Sequence, residues 1–360
     1  MRTRTWLCIL LLSASGAACS LTMTEALSGT ELETTERGGF TADGSFFLIG
    51  TRPAGRADTG SWIVQVTKLT KGGYVGNNYV AGTLEGTEDG TLKGKPLGDA
   101  CVFSGMAVHG STLYAACFAL DFRVSLLEVD TQAGTVRAGY FSSCNAQPST
   151  QPCEGLVFYP NGMGTDATGR VYASNTIAYW SLEDPENPVL QVEGSRSISQ
   201  IVIDHDASSG NKLVFTHHDW FTSNIVADGV APNGIQIEGQ TLYYAAGANI
   251  NRVQIREDGS AGDFGLHYAG PPLSYIDDFA VRDGRMALAR TLPPAIVGLE
   301  RAPRFGLARE VGTWPMGLDQ IPSSVSYQAD IPAGASLFPA DSLVITCFFG
   351  GGLHVLANAP

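Results

Sequence analysis

A phrase that recurs along the chain constrains its fold more than any other feature of the sequence. Each copy has an apolar run, a tight turn such as Asp-Gly or His-Gly, and a second run that usually contains Tyr or Phe. Helical periodicity is nearly absent, which indicates many short antiparallel strands. We find seven copies, at residues 40–51, 104–118, 161–176, 199–218, 233–247, 277–291 and 323–349.

The spacing of the copies predicts an all-β fold of the β-propeller type. Successive copies begin roughly 34 to 65 residues apart, an interval typical of solenoids and propellers. A third apolar run often follows each pair, as in 124–130 and 250–258, and four-stranded units favour a propeller over a β-helix or sandwich. We therefore predict a single propeller domain over residues 38–360. Seven blades are preferred, and six are possible because the copy at 199–218 is weak.

The N-terminus reads as an export signal followed by a lipidation site. Residues 1–18 combine a cationic start, a short apolar stretch and small residues, which is the layout of a secretory signal peptide. The tetrad Gly16-Ala17-Ala18-Cys19 resembles the lipobox of bacterial lipoproteins, although that family prefers Leu where Gly16 stands. The resemblance implies a lipidated Cys19 and anchoring in the cell envelope, and an ordinary signal peptide cut near Ala18 is the alternative. The segment after the cysteine is rich in Thr, Glu and Ser, which predicts a flexible leader over residues 19–37. Ser20 after the cysteine is compatible with the outer membrane of a Gram-negative-type bacterium.

The net charge of the chain limits the classes of partner that it is expected to bind. The formal net charge is −13, and no cluster of Lys and Arg is present of the kind that binds nucleic acid phosphates. An acidic surface favours solubility and cationic ligands such as calcium. We expect a monomer that contacts the membrane only through its lipid and binds a small molecule or an envelope protein.

Five cysteines follow Cys19, and an exported chain meets an oxidising compartment. Cys144 and Cys153 flank a polar, proline-containing loop, and Cys101 and Cys117 flank a hairpin-like segment. Each of these pairs is a candidate disulfide, and the sequence leaves the pairing open. Cys347 is then odd and is expected to be buried.

Three of the recurring phrases resemble a known group of propellers. They are APNGI at 231–235, PNGM at 160–163 and IDDFAV at 276–281. The chain is similar here to the six-bladed gluconolactonase, senescence-marker-protein and strictosidine-synthase-like group, whose architecture the paraoxonases share. In that group Asn or Asp at these strand starts, with a Glu from the first blade, binds calcium in the central channel.

The resemblance implies a ligand set for this chain. It consists of Glu36, Asn161, Asn233 and Asp277, with Asp278 as an alternative to Asp277. Calcium takes six to eight oxygen ligands from carboxylates, amides and water, and it could polarise a lactone or ester carbonyl. Asn and Asp before Gly also serve turns, so a purely structural role competes with each assignment.

Other chemical motifs are sparse. His217 and His218 are weak candidates for catalysis, because adjacent strand residues point to opposite faces and cannot easily serve one ion. No Gly-x-Ser-x-Gly, P-loop or HExxH motif is present.

Two functions follow from these observations. The first is an anchored propeller that binds a ligand, an envelope protein or a polysaccharide at its channel or loop face. The alternative is a calcium-dependent lactone or ester hydrolase. The sequence leaves open whether the chain is catalytic and which substrate or partner it takes.

Overall fold

The described part of the chain is almost entirely strand. The computed structural model describes residues 23–25, 27–28, 34–52, 60–68, 74–78, 102–118, 124–133, 135–141, 156–181, 189–207, 212–222, 232–300, 307–328, 338–339, 341–348 and 353–356. Within them, no helix is both long and apolar enough to cross a membrane. The sequence prediction of an all-β chain is confirmed.

Twenty-five strands make up these residues. The strands of the first half are β1 (Met23–Glu25), β2 (Leu27–Ser28), β3 (Thr34–Phe40), β4 (Phe46–Arg52), β5 (Gly60–Lys68), β6 (Tyr74–Asn78), β7 (Val102–His109), β8 (Thr112–Phe118), β9 (Val124–Asp130), β10 (Thr135–Tyr140), β11 (Leu156–Thr165), β12 (Val171–Ser181), β13 (Val189–Asp204) and β14 (Val214–Thr222). Those of the second half are β15 (Ile235–Glu238), β16 (Thr241–Ala246), β17 (Asn249–Ile255), β18 (Ala261–Ala269), β19 (Tyr275–Arg282), β20 (Arg285–Leu292), β21 (Pro294–Glu300), β22 (Arg309–Pro315), β23 (Pro322–Tyr327), β24 (Leu343–Cys347) and β25 (Leu353–Leu356).

The strands pair into small meandering sheets. Four sheets run in simple chain order, β7 to β10, β11 to β14, β15 to β18 and β19 to β22. A fifth has the order β1-β25-β24-β23, and a five-stranded sheet has the order β2-β6-β5-β4-β3. Strand β2 lies parallel to β6, whereas all other pairs are antiparallel.

The first strand of each sheet faces a common axis. Strands β3, β7, β11, β15, β19 and β23 contact one another in chain order, and β23 contacts β3 to close the ring. Strand β1 pairs with β25, so the N-terminal part of the domain completes the sheet built from the C-terminal part. This ring of radial sheets is a β-propeller.

The core lies between neighbouring sheets. Each strand alternates its side chains between two faces, and both faces are covered because each sheet packs against two others. One cluster joins Ile49 of β4 to Met106 of β7 and Leu113 of β8, and another joins Ala289 of β20 to Ile345 of β24. Burial on both faces explains the near-continuous apolar runs that the sequence shows.

The predicted number of units requires a correction. The sequence predicts seven blades, or alternatively six. The structure has five sheets with the expected four strands, and the remaining sheet has five strands. The copy at 199–218 does not begin a unit: it forms the end of β13 and most of β14, the outer strands of the sheet that β11 begins. Its sequence resembles the recurring phrase because an outer hairpin has the same alternation of apolar and polar residues, and the same kind of turn, as an inner hairpin.

The start of the domain also requires a correction. Met23–Glu25 and the first four residues of Thr34–Phe40 lie in sheets, although they fall within the residues 19–37 that the sequence predicts as a flexible leader. The propeller therefore begins before residue 38. The predicted signal peptide and Cys19 lie outside the described residues.

Candidate functional site

Equivalent residues of three inner strands come together at one level of the channel. Asn161 of β11, Asn233 just before β15 and Asp277 of β19 occupy equivalent places on three neighbouring strands. Gly162 packs against the carbonyl of Asn233, and the N–H of Gly234 donates to the carbonyl of Asp277 at 2.9 Å. The close approach brings these three predicted ligands to one level of the channel, which we call the mouth.

Asn233 and Asp277 are in direct contact. The Nδ2 of Asn233 donates to Oδ1 of Asp277 at 2.7 Å and to the hydroxyl oxygen of Tyr275 at 3.1 Å. Asn233 is buried, whereas Asp277 is half-buried and Tyr275 lies at the surface. The arrangement places a carboxylate and a phenol where a ligand that enters the mouth can reach them.

Asp278 lies one residue deeper and is held by two other side chains. Its Oδ2 accepts a hydrogen bond from the hydroxyl of Ser324 at 2.6 Å and lies 3.5 Å from Nε of Arg37. Its Oδ1 is buried and has no hydrogen-bond partner in the described part of the chain. A buried carboxylate of this kind requires a nearby positive charge, and Arg37 supplies one.

Arg37 reaches across the channel. It belongs to β3, but its Nη2 donates to the main-chain carbonyl of Ile235 on β15 at 2.8 Å. Strands β3 and β15 lie on opposite sides of the ring, with β7 and β11 between them on one side. The guanidinium therefore lies near the axis of the channel, and the residue is only 8% exposed.

The two aspartates influence each other electrostatically. Burial, and after it the charge of Asp278, raise the pKa of Asp277 to about 7, while the hydrogen bond from Asn233 and the charge of Arg37 act in the opposite direction. When Asp277 is ionised, two carboxylates next to one guanidinium leave an excess of negative charge. The mouth is therefore electrostatically suited to a bound cation.

The donor set partly fits a calcium ion. Oxygens of Asn161, Asn233 and Asp277 are hard ligands of the type that calcium prefers, and the buried Oδ1 of Asp278 has spare acceptor capacity. Glu36 lies in β3 next to Arg37, although its side chain is not among those described. Among the described residues, no three His, Cys, Asp or Glu side chains come together, so a metal would depend on the asparagine amides, main-chain carbonyls and Glu36.

A cavity continues from this cluster along the axis. It has a volume of about 350 Å³ and is lined by residues of all the inner strands, which places it at the small end of ligand pockets, about 300 to 1,000 Å³. The wall exposes more polar than apolar surface: Gln236 and Tyr327 are among its polar residues, and Val108 and Met163 are among its apolar ones. Arg37, which pairs with Asp278 of β19, lines one end of the cavity, and Arg282, four residues further along β19, lines the other.

The histidines are not part of this site. His217 and His218 lie on β14, the outermost strand of its sheet. The Nε2 of His217 lies 2.8 Å from the carbonyl oxygen of Phe141, and its ring packs edge-on against the Phe141 ring. His218 is exposed, as expected for adjacent residues on a strand. Both therefore lie away from the channel.

The cysteine predictions have different outcomes. Cys347 is buried in the core between the β19–β22 and β23–β25 strands, as the sequence predicts. Cys101, Cys144 and Cys153 lie outside the described residues, and Cys117 is described only as part of β8. Both disulfides stay predictions.

Sequence reasoning missed Arg37, Ser324 and Tyr275. Arg37 has a recognisable signal, because it is the one charged residue within the segment RGGF that otherwise reads as a tightly packed inner strand. The serine and the tyrosine carry no signal, since each lies in a stretch with the ordinary composition of a strand.

Comparisons with known proteins identify no family. No protein-family model matches the chain, and no curated protein matches it. Similar solved structures include the β-propeller domain of Cps50 (Swd1) from Myceliophteria thermophila, with 14% identity, a TM-score of 0.49, and coverage of 94% of this chain and 99% of that one.

Two other similar structures differ widely in function. A luciferin-regenerating enzyme has 10% identity and a TM-score of 0.49, with 93% of this chain and 95% of that one covered. The extracellular domain of a hybrid two component system from B. thetaiotaomicron has 10% identity and a TM-score of 0.45 over 92% of this chain, which spans only 39% of that protein. The sheet order and the closed ring of inner strands define the propeller.

Proposed function

We propose that this chain is an exported lipoprotein whose β-propeller binds a ligand in its channel. The observation that carries the proposal is the axial cavity, which opens beneath a cluster of polar side chains and has the size of a small-molecule pocket. An envelope protein or polysaccharide bound at the loop face is the other form of the same function.

Blocking the channel tests where a ligand binds. Gln236 lies on the inner strand β15 and lines the cavity, so Gln236→Trp would fill part of it. Gln254→Trp on β17 is the matched control, because Gln254 is exposed and its strand is the third of the same sheet. The probe is a panel of neutral, anionic and cationic fragments followed by ligand-detected NMR.

The two variants give opposite expectations. Fragment binding that disappears in Gln236→Trp and persists in Gln254→Trp supports a channel ligand. Binding that both variants retain points to the loop face. A panel without any binder to the unmodified protein contradicts the channel proposal.

The membrane anchor is tested at Cys19. In a bacterial host fed an alkyne fatty acid, we expect the full chain to incorporate the label and Cys19→Ser to lose it. Retained label in Cys19→Ser, or its absence from the unmodified chain, would contradict lipidation at this residue.

Calcium-dependent hydrolysis of a lactone or ester is the second candidate function. It is favoured by the common level of Asn161, Asn233 and Asp277 at the mouth and by the excess negative charge there. Bound calcium would supply Lewis acidity toward a substrate carbonyl. Asn233 and Asp277 would hold the ion, and Tyr275 would border the entering substrate.

Turnover of a lactone and ester panel, with calcium or a chelator, separates the two functions. An Asn233→Ala, Asp277→Ala double variant should abolish any calcium-dependent turnover, whereas Asp263→Ala, which removes an exposed aspartate on β18, should leave it unchanged. Full activity in the double variant would exclude the mouth as the reaction site.

A further inference from the structure

Arg37 differs from the other polar side chains described at the mouth because it contacts two other inner strands. It belongs to β3, and its partners lie on β15 and β19. Its guanidinium pairs with Asp278 on β19 and donates to the carbonyl of Ile235 on β15. A long side chain with a planar fork of donors suits this bridging, and a lysine could not contact both partners in the same way. The residue is fixed by partners on two strands that are distant in sequence.

The contacts of Asp278 show that the guanidinium of Arg37 pairs with this carboxylate. Its Oδ2 is satisfied by Arg37 and by the hydroxyl of Ser324, and both groups are buried. Asp277 instead is contacted by the neutral amide of Asn233. Asp278 is thus paired with the guanidinium of Arg37, and Asp277 is left to contact a ligand that enters the mouth.

We propose that Arg37 is a specificity-determining residue that acts as a built-in counter-ion for Asp278, so that a bound cation meets Asp277 and Asn233 rather than two charged carboxylates. The inference rests on the proposed binding function and names its chemistry, which is recognition of a cationic group. Loss of Arg37 would turn the mouth into a two-carboxylate site with a higher affinity for divalent cations.

Chemical rescue tests the counter-ion role without any ligand. Arg37→Ala removes the guanidinium, leaves Asp278 buried and unpaired, and should lower the Tm. Guanidinium chloride at low millimolar concentration, compared with equal sodium chloride, should recover several degrees of that loss. Arg282→Ala is the matched control, because it removes the other arginine of the same cavity, and it should show no such recovery.

The calcium response provides a second measurement. Arg37→Gln preserves much of the side-chain length and removes the charge, so it also serves if Arg37→Ala does not fold. Titration with calcium chloride alone should give an affinity about tenfold or more above that of the unmodified protein. Adding Asp278→Asn should abolish the gain, because the second carboxylate is then lost.

The outcomes separate this inference from the proposed function. Two results would overturn the counter-ion role even if fragments bind in the channel. One is an equal recovery of Tm by guanidinium chloride in Arg37→Ala and Arg282→Ala, and the other is an unchanged calcium affinity in Arg37→Gln. Rescue of Arg37→Ala without any fragment binding would leave the counter-ion role standing and contradict the channel ligand.

Discussion

At the scale of single residues, the short distance between the neighbouring inner strands β11 and β15 depends on a glycine. Any Cβ at Gly162 would collide with the carbonyl group of Asn233 and with the backbone of Gly234. Because these atoms belong to the main chain, no change of rotamer can relieve the contact. The same approach places Asn161 beside Asn233, so packing and the candidate site depend on one position.

Gly162→Ala should therefore destabilise the protein. We expect a loss of about 1 to 3 kcal/mol in the free energy of unfolding, the usual cost of overpacking, measured by urea denaturation. Gly265→Ala on β18 is the control, because a Cβ there meets no neighbouring atom, and its effect should remain within about 0.5 kcal/mol. Equal losses in the two variants would contradict the close approach at Gly162.

The residues that the sequence identified and those that it missed differ in a physical way. Asn161, Asn233 and Asp277 stand at the start of a recurring phrase, and a repeat places equivalent residues at the same level of a ring. Arg37 stands outside the phrase, and its partners Asp278 and Ile235 are 241 and 198 positions away in the chain. Pattern reasoning finds what recurs, whereas a contact made once across the channel requires the fold.

At the scale of elements, the last sheet of the ring is completed by a very short strand. Strand β1 has three residues and pairs with β25 from Met23 opposite Leu356 to Glu25 opposite His354. It covers an edge of the last sheet that would otherwise expose unpaired N–H and C=O groups. The chain thus uses a segment near its start to complete the sheet built from its end.

Removing the hydrogen-bond donors of β1 tests how much this pairing contributes to stability. Replacement of Met23, Thr24 and Glu25 by proline leaves no N–H group to donate to β25, so we expect a fall in Tm of several degrees. Replacement of the same three residues by alanine keeps the donors and should cost less. A proline variant as stable as the alanine variant would show that the pairing of β1 with β25 does not stabilise the propeller.

The fold class could be read from element-level patterns, but the arrangement of elements could not. The apolar runs and turns correctly predict strands, because alternation and turn chemistry are local properties. The unit count fails at 199–218, where an outer hairpin has the same local pattern as an inner one. The short β1 also escapes detection, since three residues carry too little pattern to distinguish a strand from a leader.

At the scale of the whole molecule, buried tyrosines link stability to pH. Desolvation is the main cause that raises the pKa of Tyr114, Tyr172 and Tyr327, in each case to about 12. Neighbouring acids Glu128 and Asp166 add to the effect for Tyr114 and Tyr172. The three lie in different sheets, so their titration affects the ring as a whole.

The sign of the dependence follows from proton uptake. Unfolded tyrosine has a pKa of about 10, so between pH 10 and 12 the folded state holds more protons than the unfolded state. The stability from the neutral phenols is fully present below about pH 10 and is lost as the pH rises through the folded pKa values. We therefore expect Tm to be insensitive to these groups at neutral pH and to fall steeply above about pH 10. Tyr114→Phe, which removes one ionisable group from a buried site, should make that fall shallower, whereas a Tm that stays flat to about pH 11 would contradict the burial of these phenols.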